Sequence, residues 1–185
     1  MPRPQTVADD ELFDRLAGVF RSAGYAGASL GDLAEASGLQ RASLYHRFPG
    51  GKAEMAEAVL RRATELFGWA TEPMYTEPDP AIGIREGVGR INQLYSDGSM
   101  PCVANAVTLS GAPDAVLAGA REMSRVWIEG MEAVARRAGQ DEGAAREAAQ
   151  DAFVRIEGAL VYARVFGDQA PYERVLGELV ELLAP

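Results

Sequence analysis

The chain has 185 residues, 48% hydrophobic and 24% charged, which suffices for a buried core in one domain or in a small domain plus a larger one. Its formal net charge is −9, and its single cysteine, Cys102, excludes an internal disulfide. No stretch approaches the roughly 20 apolar residues of a membrane span. The opening MPRPQTVADDELF lacks the apolar core of a signal peptide, so a cytoplasmic protein is expected.

Helical spacing runs through the chain, and no strand-like alternation of useful length interrupts it. Leu12, Phe13, Leu16 and Phe20 define a first amphipathic helix over residues 8–22, closed by Gly24. Ser29 reads as an N-cap, with Asp32 three residues on in a capping-box position. The short helix that follows turns Leu33 and Ala34 inward and stops at Gly38. A second short helix, from Gln40 to Phe48, turns Leu44 and Phe48 inward and is broken by Pro49-Gly50-Gly51. A longer helix begins near Lys52 and is expected to end at Phe67 or Trp69. Pro73, Pro78 and Pro80 then exclude a continuous helix from Thr71 to Pro80, which reads as a connection inside a helical body.

Ile84, Val88, Ile91 and Tyr95 mark a helix over 81–95, ended by Ser96-Asp97-Gly98. A short apolar helix over 102–110 stops at Gly111. A long one over 114–138 carries Val116, Ala120, Met123, Trp127, Met131 and Val134 on one face. Glu142 to Phe166 forms the next, with Phe153, Ile156, Leu160 and Ala163 inward. Pro171 opens the last, whose apolar positions include Val175, Leu176, Leu179, Leu182 and Leu183. The expected fold is all-α with about nine helices.

Charge is distributed unevenly. Residues 1–52 hold six Arg/Lys and six Asp/Glu, so the remainder carries the whole net charge. Ser37 to Lys52 contains Arg41, Arg47 and Lys52 and no acid. Two short helices joined by a glycine-containing turn, Ser29 to Phe48, form a helix-turn-helix pattern. The second helix, QRASLYHRF, presents Arg41, Ala42, Ser43, Tyr45 and His46 away from Leu44 and Phe48. A helix entering a major groove needs such an outer face: small residues for close approach, arginine for guanine edges, hydroxyls and cations for phosphates. Lys52, the only lysine, stands at the start of the next helix, where ammonium and helix N-terminus both favour a phosphate. A solvated cationic face remains the plain alternative for this stretch.

The segment GYAGASLGDLAEASGLQRASLYHRFPGGKAEM resembles the signature of the TetR family of transcriptional regulators. Ala34, Gly38, Leu44, Tyr45, Phe48 and Lys52 fall on that pattern, and the likeness covers residues 9–60. FPGGKAEM has one residue more than is usual between the phenylalanine and the lysine. In this, and loosely in MPCVANAVTL and VWIEGMEAV, the chain resembles the subgroup typified by LmrA and YxaF. The resemblance implies a helix-turn-helix DNA-binding domain over residues 1–51 and a ligand-binding and dimerisation domain over 52–185. It implies phosphate contacts from Tyr45, Lys52, Arg47 and Ser29. Arg41, Ala42, Ser43 and His46 would face bases or nearby backbone. It also implies a homodimer on a double-stranded DNA operator, joined through the last two long helices, with no membrane partner.

Some features bear on the rest without the resemblance. Gly158, Ala159, Ala163 and Gly177 would let helices approach closely, whether in a core or at an interface. A dimer suits DNA, because two recognition helices about 34–36 Å apart read a palindrome on one face. Trp69, Tyr95, Trp127, Met131 and Phe153 are aromatic or soft residues at helical spacing, and Asn105 is a polar position beside them. They read either as core or as the lining of a pocket for a small aromatic or apolar effector. Such an effector would release DNA by favouring a dimer with mis-spaced recognition helices. No cofactor, metal site or enzyme chemistry is expected. One His and one Cys in different regions make no nucleophile–base pair, and no phosphate loop or metal-ligand spacing is present. Two further readings stay open: an activator, and a helical binding module whose helix-turn-helix no longer binds DNA specifically.

Overall fold

The computed structural model describes residues 7–185. Among these it is all-helical, with nine helices. They are α1 (Asp9–Gly27), α2 (Leu30–Ser37), α3 (Arg41–Arg47), α4 (Gly51–Thr76), α5 (Pro80–Leu94), α6 (Val103–Thr108), α7 (Asp114–Arg137), α8 (Glu142–Phe166) and α9 (Ala170–Leu183). No helix is long and apolar enough to cross a membrane among the described residues. The chain forms two compact units. The first comprises the residues up to Ala63 with Val103–Met123, and the second Thr64–Cys102 with Ser124–Pro185. The first half of α4, α6 and the first turns of α7 thus pack with the N-terminal helices.

In the first unit, Leu12, Leu16 and Phe20 of α1 are fully buried with Leu33 of α2, Met55 and Leu60 of α4, and Val107 and Val116. Burying such side chains contributes about 1.5–3 kcal/mol each, which makes this core the main stabilising term. α1 runs past the expected end, but Gly24 is not helical (φ 67°, ψ 179°). A Cβ there would stand 3.1 Å from the Ala106 carbonyl oxygen, so Gly24 serves both the kink and the close packing of α6 on α1.

The second unit corrects the expected break at Thr71–Pro80. α4 continues through Pro73 to Thr76. Proline has no N–H, so the carbonyl four residues back, that of Trp69, loses its helical partner. Arg90 of α5 supplies the replacement, donating from Nη1 to Trp69 O at 2.7 Å. Arg137 of α7 closes the helix end, donating to Met74 O at 2.8 Å and to Glu77 O. Neighbouring helices come close because three positions lack side chains. Added Cβ atoms would meet Pro73 O at 2.7 Å from Gly83, Met74 Cε at 2.7 Å from Gly87, and Thr71 Cβ at 2.6 Å from Gly130. α8 ends on Gly167 in the left-handed conformation (φ 67°, ψ 24°), and α9 turns back against it.

Candidate nucleic-acid interface

α2 and α3 are set at their turn by three residues. Gly38 takes the left-handed conformation (φ 69°, ψ 10°) that ends α2. The fully buried Ser37 donates its hydroxyl to Ala34 O at 2.8 Å and accepts from the Leu39 N–H at 3.1 Å. Arg15 of α1 donates to Ser37 O at 3.3 Å. Leu44 and Phe48 anchor α3 from beneath, at 2% and 5% exposure. Anchoring on that side leaves Arg41, Ala42, Ser43, Tyr45 and His46 exposed together on the outer side of a seven-residue helix.

The flanking groups are held from behind. Ser29 caps α2 through a complete capping box, accepting from the Asp32 N–H while Asp32 accepts from the Ser29 N–H, both at 3.1 Å. Those bonds, the side-chain one first, hold the Asp32 carboxyl below its ordinary value, so it stays anionic beside Ser29. Lys52 donates to Tyr25 O at 2.8 Å and lies 4.5 Å from the centre of the Tyr25 ring. An ammonium has three donors. One is used by the Tyr25 carbonyl, and the cation is fixed at the end of α1 rather than waving on a free stem. The turn before it needs glycine: Gly51 has φ +66°, its N–H donates to Phe48 O at 2.9 Å, and the Tyr45 ring passes over it at 3.9 Å from a Cβ position. The Gly50 N–H donates to Glu54 Oε2 at 2.7 Å, a side-chain cap for the start of α4.

Two neighbours of this surface were not legible as such. Asp9 at the start of α1 accepts from Arg47, so the fold brings an acid to the acid-poor stretch. Gly31 of α2 gives room for Arg41, whose Nη2 lies 3.1 Å from the Cβ position, with Ser29 Oγ 3.4 Å from the same point. The Arg41 guanidinium and the Ser29 hydroxyl thus share one end of α2. Nothing local in the sequence links positions 9 and 47 or 31 and 41; only the packing of the three helices does.

Residues 12–59 match the family described as "Bacterial regulatory proteins, tetR family", a span that holds this whole surface except Asp9. Residues 12–59 thus carry the N-terminal domain of the TetR family. The chain is 26% identical over 171 residues to the HTH-type transcriptional regulator LmrA of Bacillus subtilis (strain 168), covering 89% of this chain and 90% of that one. The fold is that of a TetR transcriptional regulator from Legionella pneumophila, with a TM-score of 0.84, 20% identity and 98% of both chains covered. It is also that of the regulator FadR from Bacillus subtilis in complex with stearoyl-CoA, with a TM-score of 0.72, 13% identity, and 96% of this chain and 98% of that one covered.

The residues read as pocket candidates divide in the structure. Tyr95, Trp127 and Phe153 come together. The Trp127 ring centre lies 6.0 Å from that of Tyr95 and 5.2 Å, edge-on, from that of Phe153, while Phe67 stacks on it at 5.0 Å. Met131, one turn on from Trp127 in α7, is fully buried. Trp69 does not join them. It is 46% exposed, with the Arg90 guanidinium 4.9 Å from its ring centre, an arrangement set by the carbonyl that Pro73 frees. Asn105 lies on α6, in the first unit. Tyr172 of α9, on the face of Leu179 and Leu183, is fully buried, and burial pushes its phenol well above the ordinary range, helped by Asp97 and Glu157. Tyr95 is raised likewise, by burial first and then by Cys102 and Glu157.

Proposed function

We propose that the chain is a repressor that binds a palindromic DNA operator as a homodimer and is released by a small aromatic or apolar effector. The observation that carries the DNA part is the outer side of α3. Five polar or small residues stand exposed there over a Leu44–Phe48 anchor, with Lys52 fixed beside them, inside the span that matches the family. Tyr45, Lys52, Arg47 and Ser29 take phosphates, and Arg41, Ala42, Ser43 and His46 face bases or adjoining backbone. Residues 1–51 serve DNA and residues 52–185 serve the effector and the dimer. The repressor works in the cytoplasm, where its operator is.

The dimer reading rests on α8. Val154, Val165 and Phe166 are 65%, 64% and 67% exposed, with Val161 and Tyr162 between them, and the Tyr162 and Phe166 rings touch at 4.5 Å. Gly158 on this stripe and Gly177 on α9 have no atom within 4 Å of a Cβ position, so a second backbone can come close. A second copy of this stripe is its self-complementary partner, as a two-fold interface requires. The effector reading draws support from the ligand-bound FadR of the same fold and from the aromatic cluster around Trp127.

The test is competition binding between the DNA upstream of the chain's own gene and random DNA. A repressor prefers one palindromic site there by a factor of about 10³ or more. Equal affinity for both would show a helix-turn-helix that has lost specific recognition.

A further inference from the structure

Gly31 is a glycine that its backbone does not require. It is the second residue of α2, and it is not among the glycines with positive φ. Glycine is a poor helix former, because it gives up the most backbone freedom on folding. Space, rather than conformation, accounts for it here. A Cβ would stand 3.1 Å from Arg41 Nη2 and 3.4 Å from Ser29 Oγ, and the first of these is closer than side-chain carbons ordinarily approach. The Arg41 side chain therefore lies back from α3 across Gly31, with its guanidinium beside the Ser29 hydroxyl.

That placement bears on what Arg41 touches. In a helix-turn-helix the first residues of the second helix stand at base edges, while the first helix crosses the phosphate backbone. Arg41 opens α3, yet its guanidinium sits over α2. Its donors are free. Arg15 is tied to Glu11 and Arg47 to Asp9, whereas Arg41 has neither a hydrogen bond nor an ion pair among the described residues. The Ser29 hydroxyl accepts from the Asp32 N–H and keeps its own proton to donate. The Asp32 carboxylate beside it repels an anion, so the hydroxyl alone is a poor partner for a phosphate. A guanidinium at the same place offsets that repulsion, and its planar fork matches the two free oxygens of a phosphate.

We propose that Arg41 clamps a phosphate instead of reading a base, that it shares this phosphate with Ser29, and that Gly31 is the positioning residue that lets it do so. This rests on the DNA-binding reading above and narrows it, because base recognition then falls to Ala42, Ser43 and His46.

Anisotropy titrations of the full chain test it on the upstream palindrome, on random DNA, on palindromes with each base pair changed in turn, and on palindromes with one phosphate replaced by a neutral methylphosphonate. Arg41→Ala weakens palindrome and random DNA alike by about tenfold and keeps the ranking of the changed base pairs. One methylphosphonate weakens the parent by about tenfold and leaves Arg41→Ala unaffected, and Ser29→Ala is less sensitive at that same position. Gly31→Leu weakens the parent by about tenfold and adds nothing in the Arg41→Ala chain. Leucine forms helix better than glycine, so Gly31→Leu melts no lower than the parent, and lost binding there is not lost folding. Three results each overturn the assignment and leave the DNA-binding reading standing: a preference lost at one base pair in Arg41→Ala, no phosphate at which Arg41→Ala and Ser29→Ala both lose sensitivity, or Gly31→Leu as harmful in the Arg41→Ala chain as in the parent. A parent with no preference for the palindrome over random DNA overturns that reading and the assignment with it.

Discussion

The α2–α3 surface and the Trp127 cluster treat polar groups in opposite ways. On the surface, the outer residues of α3 are exposed, and each flanking group is tied to a fixed neighbour: Lys52 to Tyr25, Arg47 to Asp9, Ser29 to Asp32. In the body, the Trp127 and Tyr172 donors are sealed from water and have no partner. A surface built for a highly charged backbone is pre-arranged, because exposed cations lose little on being oriented before the phosphate arrives. A buried polar group without a partner costs stability, and the rest of the core offsets that cost.

The comparison breaks most sharply at the α8 stripe. Phe166→Glu with Val165→Glu places charges on the proposed two-fold axis. Sedimentation should then show a monomer, and operator affinity should fall by about 10³, the avidity lost with the second half-site. An unchanged dimer would move the interface elsewhere. Next comes Gly98→Ala in the body. Gly98 has φ +82°, and an added Cβ would stand 2.6 Å from the Tyr172 ring. Strain plus overpacking should cost about 2–4 kcal/mol in a denaturation experiment, with the surface of α3 untouched.

Lys52→Ala should weaken operator and random DNA alike, by about tenfold, because a phosphate contact carries no sequence information. Loss of specificity alone would place Lys52 at a base edge. Arg90→Ala should destabilise the chain by about 1–2 kcal/mol, since the Trp69 carbonyl freed by Pro73 loses its donor. Pro73→Ala in the same chain should restore most of that, a coupling visible in a double-mutant cycle. The smallest expected effect is Asp9→Asn. Exposed ion pairs are worth about 0–1 kcal/mol, so releasing Arg47 from Asp9 should strengthen DNA binding only by about threefold, most visibly at low salt.

What was legible in the sequence follows the same division. The capping box at Ser29, the left-handed Gly38 and the Leu44–Phe48 anchor are local. They depend on residues within a few positions of one another, so spacing alone found them. The Pro73 break was misjudged because the compensating donor, Arg90, arrives from a different helix. Trp69 was grouped with the pocket because it is aromatic at helical spacing, yet the same Arg90 holds it at the surface. Asn105 reads as a polar position beside an apolar face, and that face is the one α6 packs on α1. Tyr172 stands on the buried face of α9 with Leu179 and Leu183, at helical spacing from the apolar positions read for that helix. Its neighbours Asp97, Gly98 and Glu157 come from other segments, so spacing within α9 says nothing of them.

The central claim is that Ser29 through Lys52 binds DNA, and its salt dependence is the most direct measurement. Anisotropy titrations of the full chain with its upstream DNA between 50 and 200 mM salt give the slope of log affinity against log salt. With Arg41, Arg47 and Lys52 from each protomer on phosphates or close beside them, the slope should be about −5, and Lys52→Ala should make it shallower by about 2. A slope near zero, or one that Lys52→Ala leaves unchanged, would contradict the assignment of this surface to DNA.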